Sequence, residues 1–60
     1  MRYRDAVNLH NEDEVIVKST GCGMIVIETE IISREKSADG KPAVMIMLED
    51  GNMYHHTEVA

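Results

Sequence analysis

Four side chains carry the chemistry that a bound metal or a nucleophile requires: His10, Cys22, His55 and His56. Imidazole and thiolate both bind zinc, but a closed site takes four ligands, and spacing decides whether these can meet. Adjacent residues on a strand point to opposite faces, so His55 and His56 share one ion only if the strand ends between them. The expectation is that one histidine packs or caps the terminal turn and the other stays wet. Cys22, between Gly21 and Gly23, is the chain's single cysteine. A reactive thiolate needs a nearby cation and a base within hydrogen-bond reach, and no cation stands near enough in sequence to activate this thiol, Lys18 being the one that folding could bring up. The commoner fate of a free cysteine is burial as a small hydrophobe. Gly21-Cys22-Gly23 lacks the Lys-Ser/Thr pair and following helix of a phosphate loop. No polar set has catalytic spacing, so the chain reads as a non-enzyme with no catalytic residue, metal ligand or cofactor.

The charged residues point elsewhere. Eleven acidic against six basic side chains give a net charge of -5, which repels phosphate backbones and makes nucleic acid a disfavoured partner. Arg2, Arg4, Lys18 and Lys41 are the phosphate contacts that a nucleic-acid-binding barrel would use. The acidic set is Glu12, Asp13 and Glu14 with the pair Glu28 and Glu30. Glu28 and Glu30 stand two apart on a strand and share a face, tolerable for like charges that are wet or matched by cations. Such a set either guards strand edges against unwanted pairing or forms a surface for a basic protein. In the second case it imitates phosphate spacing in the basic groove of a nucleic-acid enzyme. Small acidic inhibitors from phages and mobile elements, anti-CRISPR proteins among them, are the analogy in size and charge.

These residues must be positioned by short strands. Thr20-Gly21-Cys22-Gly23, Asp39-Gly40 and Asp50-Gly51 supply the glycines of tight turns. Between them, segments rich in Val and Ile predict strands over 14–18, 24–33, 43–49 and 52–55, with Val59 ending a brief fifth strand after a turn at His56-Thr57-Glu58. Pro42 suits a strand start, and 33–41 reads as a solvated loop. Tyr3 and Val7 stand four apart, and Ala6 and Leu9 three apart, which predicts one or two helical turns over 3–9 packed on the sheet.

The run Asp13-Glu14-Val15-Ile16-Val17-Lys18, then 21–26, 44–48, Glu49-Asp50-Gly51 and 54–59, resembles the strand order of small SH3-like barrels of the KOW and Tudor kind. The resemblance spans about three quarters of the chain and implies a mainly all-β, five-stranded antiparallel barrel with a short N-terminal helical turn. Tudor readers of methylated residues use an aromatic cage, for which this chain has Tyr3 and Tyr54 and neither Phe nor Trp.

Sixty residues are read as one domain, which buries only ~60% of the surface of its unfolded form. Oligomerisation is a common remedy at this size, and a lone cysteine excludes an intrachain disulfide. No apolar run reaches membrane-spanning length and no secretory signal precedes the first strand, so the expected compartment is the cytoplasm. Two segments carry apolar residues on both faces. Directing Val44, Ile46 and Leu48 inward sends Ala43, Met45 and Met47 outward, and either Met24/Val26 or Ile25/Ile27 must leave a single-sheet core. Contiguous apolar faces mark interaction sites, and methionine suits adaptable surfaces. The expectation is a homodimer or higher oligomer through Met45 and Met47, with Met24 and Ile16 as further candidates. The alternative is that residues 3–9 cover that face within one chain.

Overall fold

A computed structural model describes all of residues 1–60. Its elements are the helical turn α1 (Tyr3–Ala6), strands β1 (Glu14–Ile16), β2 (Gly23–Ile32), β3 (Ala43–Leu48) and β4 (Met53–His55), and a 3-10 turn over His56–Glu58. The strands form one antiparallel sheet in the order β1-β2-β3-β4, so each neighbour in sequence is a neighbour in space, as tight turns between short strands dictate.

The turns sit at the glycines. Gly21, with φ of 73°, lets the chain reverse so that Val17 N–H donates to Cys22 O over 2.9 Å. Between β3 and β4, Gly51 has φ of 83° and its N–H donates to Leu48 O over 2.9 Å. Leu48 N–H in turn donates to Asn52 O over 3.1 Å, which makes this a three-residue hairpin loop with glycine in the left-handed position.

β2 is a bent strand serving two partners. Its first half pairs with β1, setting Val15 opposite Met24. A register shift between Val26 and Glu28 leaves Ile27 as a bulge, which re-aims the rest of the strand along β3. There Glu28 stands opposite Met47 and Glu30 opposite Met45.

Ala6, Val15, Val17, Val26, Val44, Ile46, Leu48 and Val59 form one buried cluster. Complete burial of each Val, Ile or Leu contributes ~1.5–3 kcal/mol. The inward side of β3 is Val44, Ile46 and Leu48, all fully buried, as the alternation requires. α1 packs on β3 and the 3-10 turn. Ala6 is in the cluster, with Met1, Tyr3, Val7 and Leu9 half-buried against it. The N-terminal segment therefore closes the inward face and leaves the outward face, with Met45 and Met47, uncovered.

The expected fifth strand is reduced to a single bridge, Val17 to Val59, and the architecture is a four-stranded open sheet. The 3-10 turn takes His56–Glu58 out of extended geometry, leaving Val59 extended, with φ and ψ of -125° and 161°, opposite β1. Three backbone hydrogen bonds fasten this end: Ile16 N–H to Ala60 O, 3.1 Å, Ala60 N–H to Ile16 O, 2.8 Å, and Lys18 N–H to Glu58 O, 2.9 Å. No helix is long and apolar enough to cross a membrane.

Candidate functional site

The outward face of β2, β3 and β4 gathers residues from three segments. The pairings Glu28–Met47–Met53 and Glu30–Met45–His55 run as two rows across the strands. Cross-strand neighbours on one face stand ~5 Å apart at Cβ, so the two carboxylates flank a methionine stripe that ends on an imidazole. Glu28, Thr29, Glu30, Met47 and Met53 line a shallow groove of about 210 Å³. Met45 and Met47 are half-buried, and Met53 is 46% exposed. The ion pairs lie elsewhere, Arg2 to Asp5 at 3.4 Å and His10 to Asp13 at 3.9 Å, so Glu28 and Glu30 face no cation.

The other interface candidates are placed differently. Met24 packs against the buried cluster, because Val15, its partner across the β1–β2 ladder, is itself in the core. It belongs to the interior rather than to the methionine face. Ile16 is 49% exposed, but β1 pairs with the first half of β2 and β2 separates it from β3.

The acidic set divides as well. Glu12 and Asp13 lead into β1, and Glu14 is its first residue. Asp13 accepts from His10 N–H over 2.8 Å, and its carbonyl accepts from Val26 N–H over 2.8 Å. Glu14 leans over Gly23, where an added Cβ would meet its carboxylate at 3.3 Å. These three organise a turn and a strand end, whereas Glu28 and Glu30 are open to solvent beside the methionines. Among the basic residues, Arg2 and Arg4 flank or lie in α1, Lys18 follows β1 and Lys41 precedes β3.

His55 and His56 realise the exception that the spacing allowed, for β4 ends between them. Their rings stack with centroids 4.4 Å apart. His55 Nδ1 lies 2.8 Å from Thr57 Oγ1 and caps the 3-10 turn by accepting from Thr57 N–H. His56 is the buried member, and burial, then the charges of His55 and the Met1 amine, lower its pKa from the ordinary 6.5. No three His, Cys, Asp or Glu side chains converge as a metal set would. Cys22 is exposed in its turn rather than buried, because the φ-positive Gly21 carries the chain outward before β2 begins. Its N–H donates to Thr20 Oγ1 over 3.2 Å.

Met53 and His55 were missed in the sequence as members of the face. Their side depends on whether the hairpin loop holds two residues or three, which shifts every later residue by one place in the pairing. No protein-family model matches the chain, and no curated protein or solved structure matches it.

Proposed function

We propose that this chain is a small non-enzymatic interaction module that works through protein contacts and self-associates through the outward face of β2–β4. The observation that carries this reading is the location of the N-terminal segment. α1 and its flanking apolar residues pack on the inward side, so nothing in the chain covers Met45, Met47 and Met53. An apolar centre with Glu28 and Glu30 at its border has the anatomy of an interface core and polar rim. Association also supplies burial that a sixty-residue chain lacks.

The three hydrogen bonds between residues 16–18 and 58–60 support reading the sheet as an SH3-like barrel whose fifth strand is cut to its first pairs. A lone, exposed thiol fits a reducing cytoplasm.

Light scattering on a sizing column, at low and high salt, tests the reading. The expected mass is a multiple of 6.7 kDa at both salts, and Met45→Lys with Met47→Lys yields monomer. A parent that elutes as monomer, or a double variant of unchanged mass, removes the proposed interface.

A second reading rests on the absence of a cation beside Glu28 and Glu30: an acidic inhibitor of a nucleic-acid enzyme, using these carboxylates as phosphate mimics. It requires binding to a basic groove that weakens as salt rises, with Glu28→Gln and Glu30→Gln abolishing inhibition.

A further inference from the structure

The second half of β2 has one partner strand and one bare edge. β1 pairs with β2 only as far as Ile25, with Glu12 and Asp13 adding contacts to Val26. The bulge at Ile27 then carries the strand away. Residues 27–32 continue along β3, and no strand pairs with them on their other side.

Alternation along the ladder identifies the free groups. The amides of Val44 and Leu48 point toward the β4 side, to His56 Nδ1 and Asn52 O. Those of Met45 and Met47 therefore point toward β2, and Glu30 and Glu28 turn their own backbone groups to β3. Thr29 and Ile31 consequently present N–H and C=O to the open edge, and no other backbone or loop group bonds to them. Ile27 and Ile31 are 48% and 56% exposed along this stretch. A bare edge with exposed large apolar side chains is a template for an added strand.

Charge selects the occupant. Centred on Ile31, a second copy pairing antiparallel with faces matched overlaps this edge over residues 30–32 alone, because β2 ends at Ile32. The longer overlaps bring Glu28 opposite Glu30 when centred on Thr29, or the two Glu30 opposite each other when centred on Glu30. Like charges directly opposite are destabilising. A strand with cations at alternate positions meets both carboxylates on one face while its intervening apolar residues meet Thr29 and Ile31 on the other. We infer that the residue 27–32 edge of β2 binds, by strand addition, an extended segment of another protein with Lys or Arg at every second position and apolar residues between. This site adjoins the methionine face and shares Glu28 and Glu30 with its border, but its energy comes from backbone pairing at the edge.

The test uses a synthetic peptide of alternating lysine and valine, about ten residues long, with an alternating glutamate and valine peptide as control. Titration calorimetry on the parent should show saturable binding of the first and none of the second. Thr29→Pro removes an outward N–H and no internal ladder bond, a place where proline is tolerated in sheets, and should weaken binding at least ~10-fold. Glu28→Lys with Glu30→Lys should exchange the preference for that of the control peptide. Hydrogen exchange on the parent should slow at the Thr29 and Ile31 amides when the lysine peptide is added, a readout independent of how any variant folds. No binding to the parent, unchanged exchange at those amides, or an unaltered preference after charge reversal overturns the inference. So does a lower oligomeric mass in Thr29→Pro without peptide binding by the parent, which would assign the edge to a second copy.

Discussion

His56 Nδ1 accepts the hydrogen bond that Val44 N–H donates across 3.2 Å. β4 ends one residue too early to supply a carbonyl there, and the imidazole takes its place. The ring lies under Tyr3, edge-on at 5.9 Å, and against His55, so one side chain ties the 3-10 turn to both β3 and α1. Acceptance at Nδ1 requires the neutral ring with its proton on Nε2.

That requirement gives stability a pH dependence. The folded pKa of His56 is lowered from 6.5, chiefly by burial, so the unfolded chain binds the proton more readily. The stabilisation is full above the unfolded value and is lost as pH falls from there through the folded one. Asp39 and Asp50, lowered from 3.8 by hydrogen bonds from Ser37 and Tyr54, act in a separate, more acidic window. Urea midpoints should fall between about pH 7.5 and about pH 5.5. His56→Asn, which keeps an acceptor and cannot titrate, should flatten that fall. His56→Leu, which strands the Val44 amide, should cost ~1–3 kcal/mol at neutral pH. An equally steep fall in His56→Asn would reassign the effect to another group.

Glu12 is the one residue other than glycine with positive φ, at 79°. Its N–H donates to Val26 O over 2.7 Å, so the strained geometry is held by the pairing of the β1 approach with β2. A left-handed conformation costs an L-residue ~1–2 kcal/mol, and glycine escapes it. Glu12→Gly should therefore stabilise the fold by up to ~1 kcal/mol after its greater unfolded-state entropy is subtracted. Urea denaturation measures it, and a destabilised variant would mean that the Glu12 side chain stabilises the fold by more than the strain it bears.

Much of this architecture was legible because its signals are local. Asp50-Gly51 marked the β3–β4 hairpin, the Val/Ile runs marked the strands to within about two residues, and the spacing of Tyr3, Ala6 and Val7 marked α1. The outward direction of Met45 and Met47 followed from one choice, burial of Val44, Ile46 and Leu48. What escaped was set by distant partners. The bulge at Ile27 changes the phase of β2, so Met24 and Val26 face the core before it, whereas Thr29 and Ile31 take that side after it. Composition leaves open whether Met24/Val26 or Ile25/Ile27 faces outward, and pairing with the buried Val15 and Leu48 turns Met24 and Val26 inward. The bare edge was invisible for the same reason: it exists because β2 outruns β1, a fact about two strands rather than one.

Ile46 lies at the centre of β3, fully buried, with Thr29 and Tyr54 as cross-strand partners. Ile46→Ala removes buried methyl groups and leaves a cavity, a change worth ~2–5 kcal/mol. Against the few kcal/mol that a single core of this size supplies, the variant should be largely unfolded at room temperature, which circular dichroism reads directly. Retention of a cooperative transition near the parent midpoint would mean that association, rather than this core, dominates stability.

Met24 and Met53, one on β2 and one on β4, separate interior from interface. Met24 packs on the buried cluster, so Met24→Lys forces an ammonium toward apolar surroundings and should destabilise the fold by ~1–3 kcal/mol. Met53 is largely open and sits opposite Met47. Met53→Lys should leave the monomer fold within ~0.5 kcal/mol of the parent, yet place a solvated charge in the middle of the proposed contact. At equal concentration, light scattering should show the folded Met24→Lys population at the parent mass and Met53→Lys shifted to monomer, with urea midpoints in the opposite order once the parent is diluted to monomer. If Met24→Lys is the variant that loses mass while staying folded, the contact lies on the β1 side of the sheet, and Ile16 rather than Met53 becomes the residue to follow.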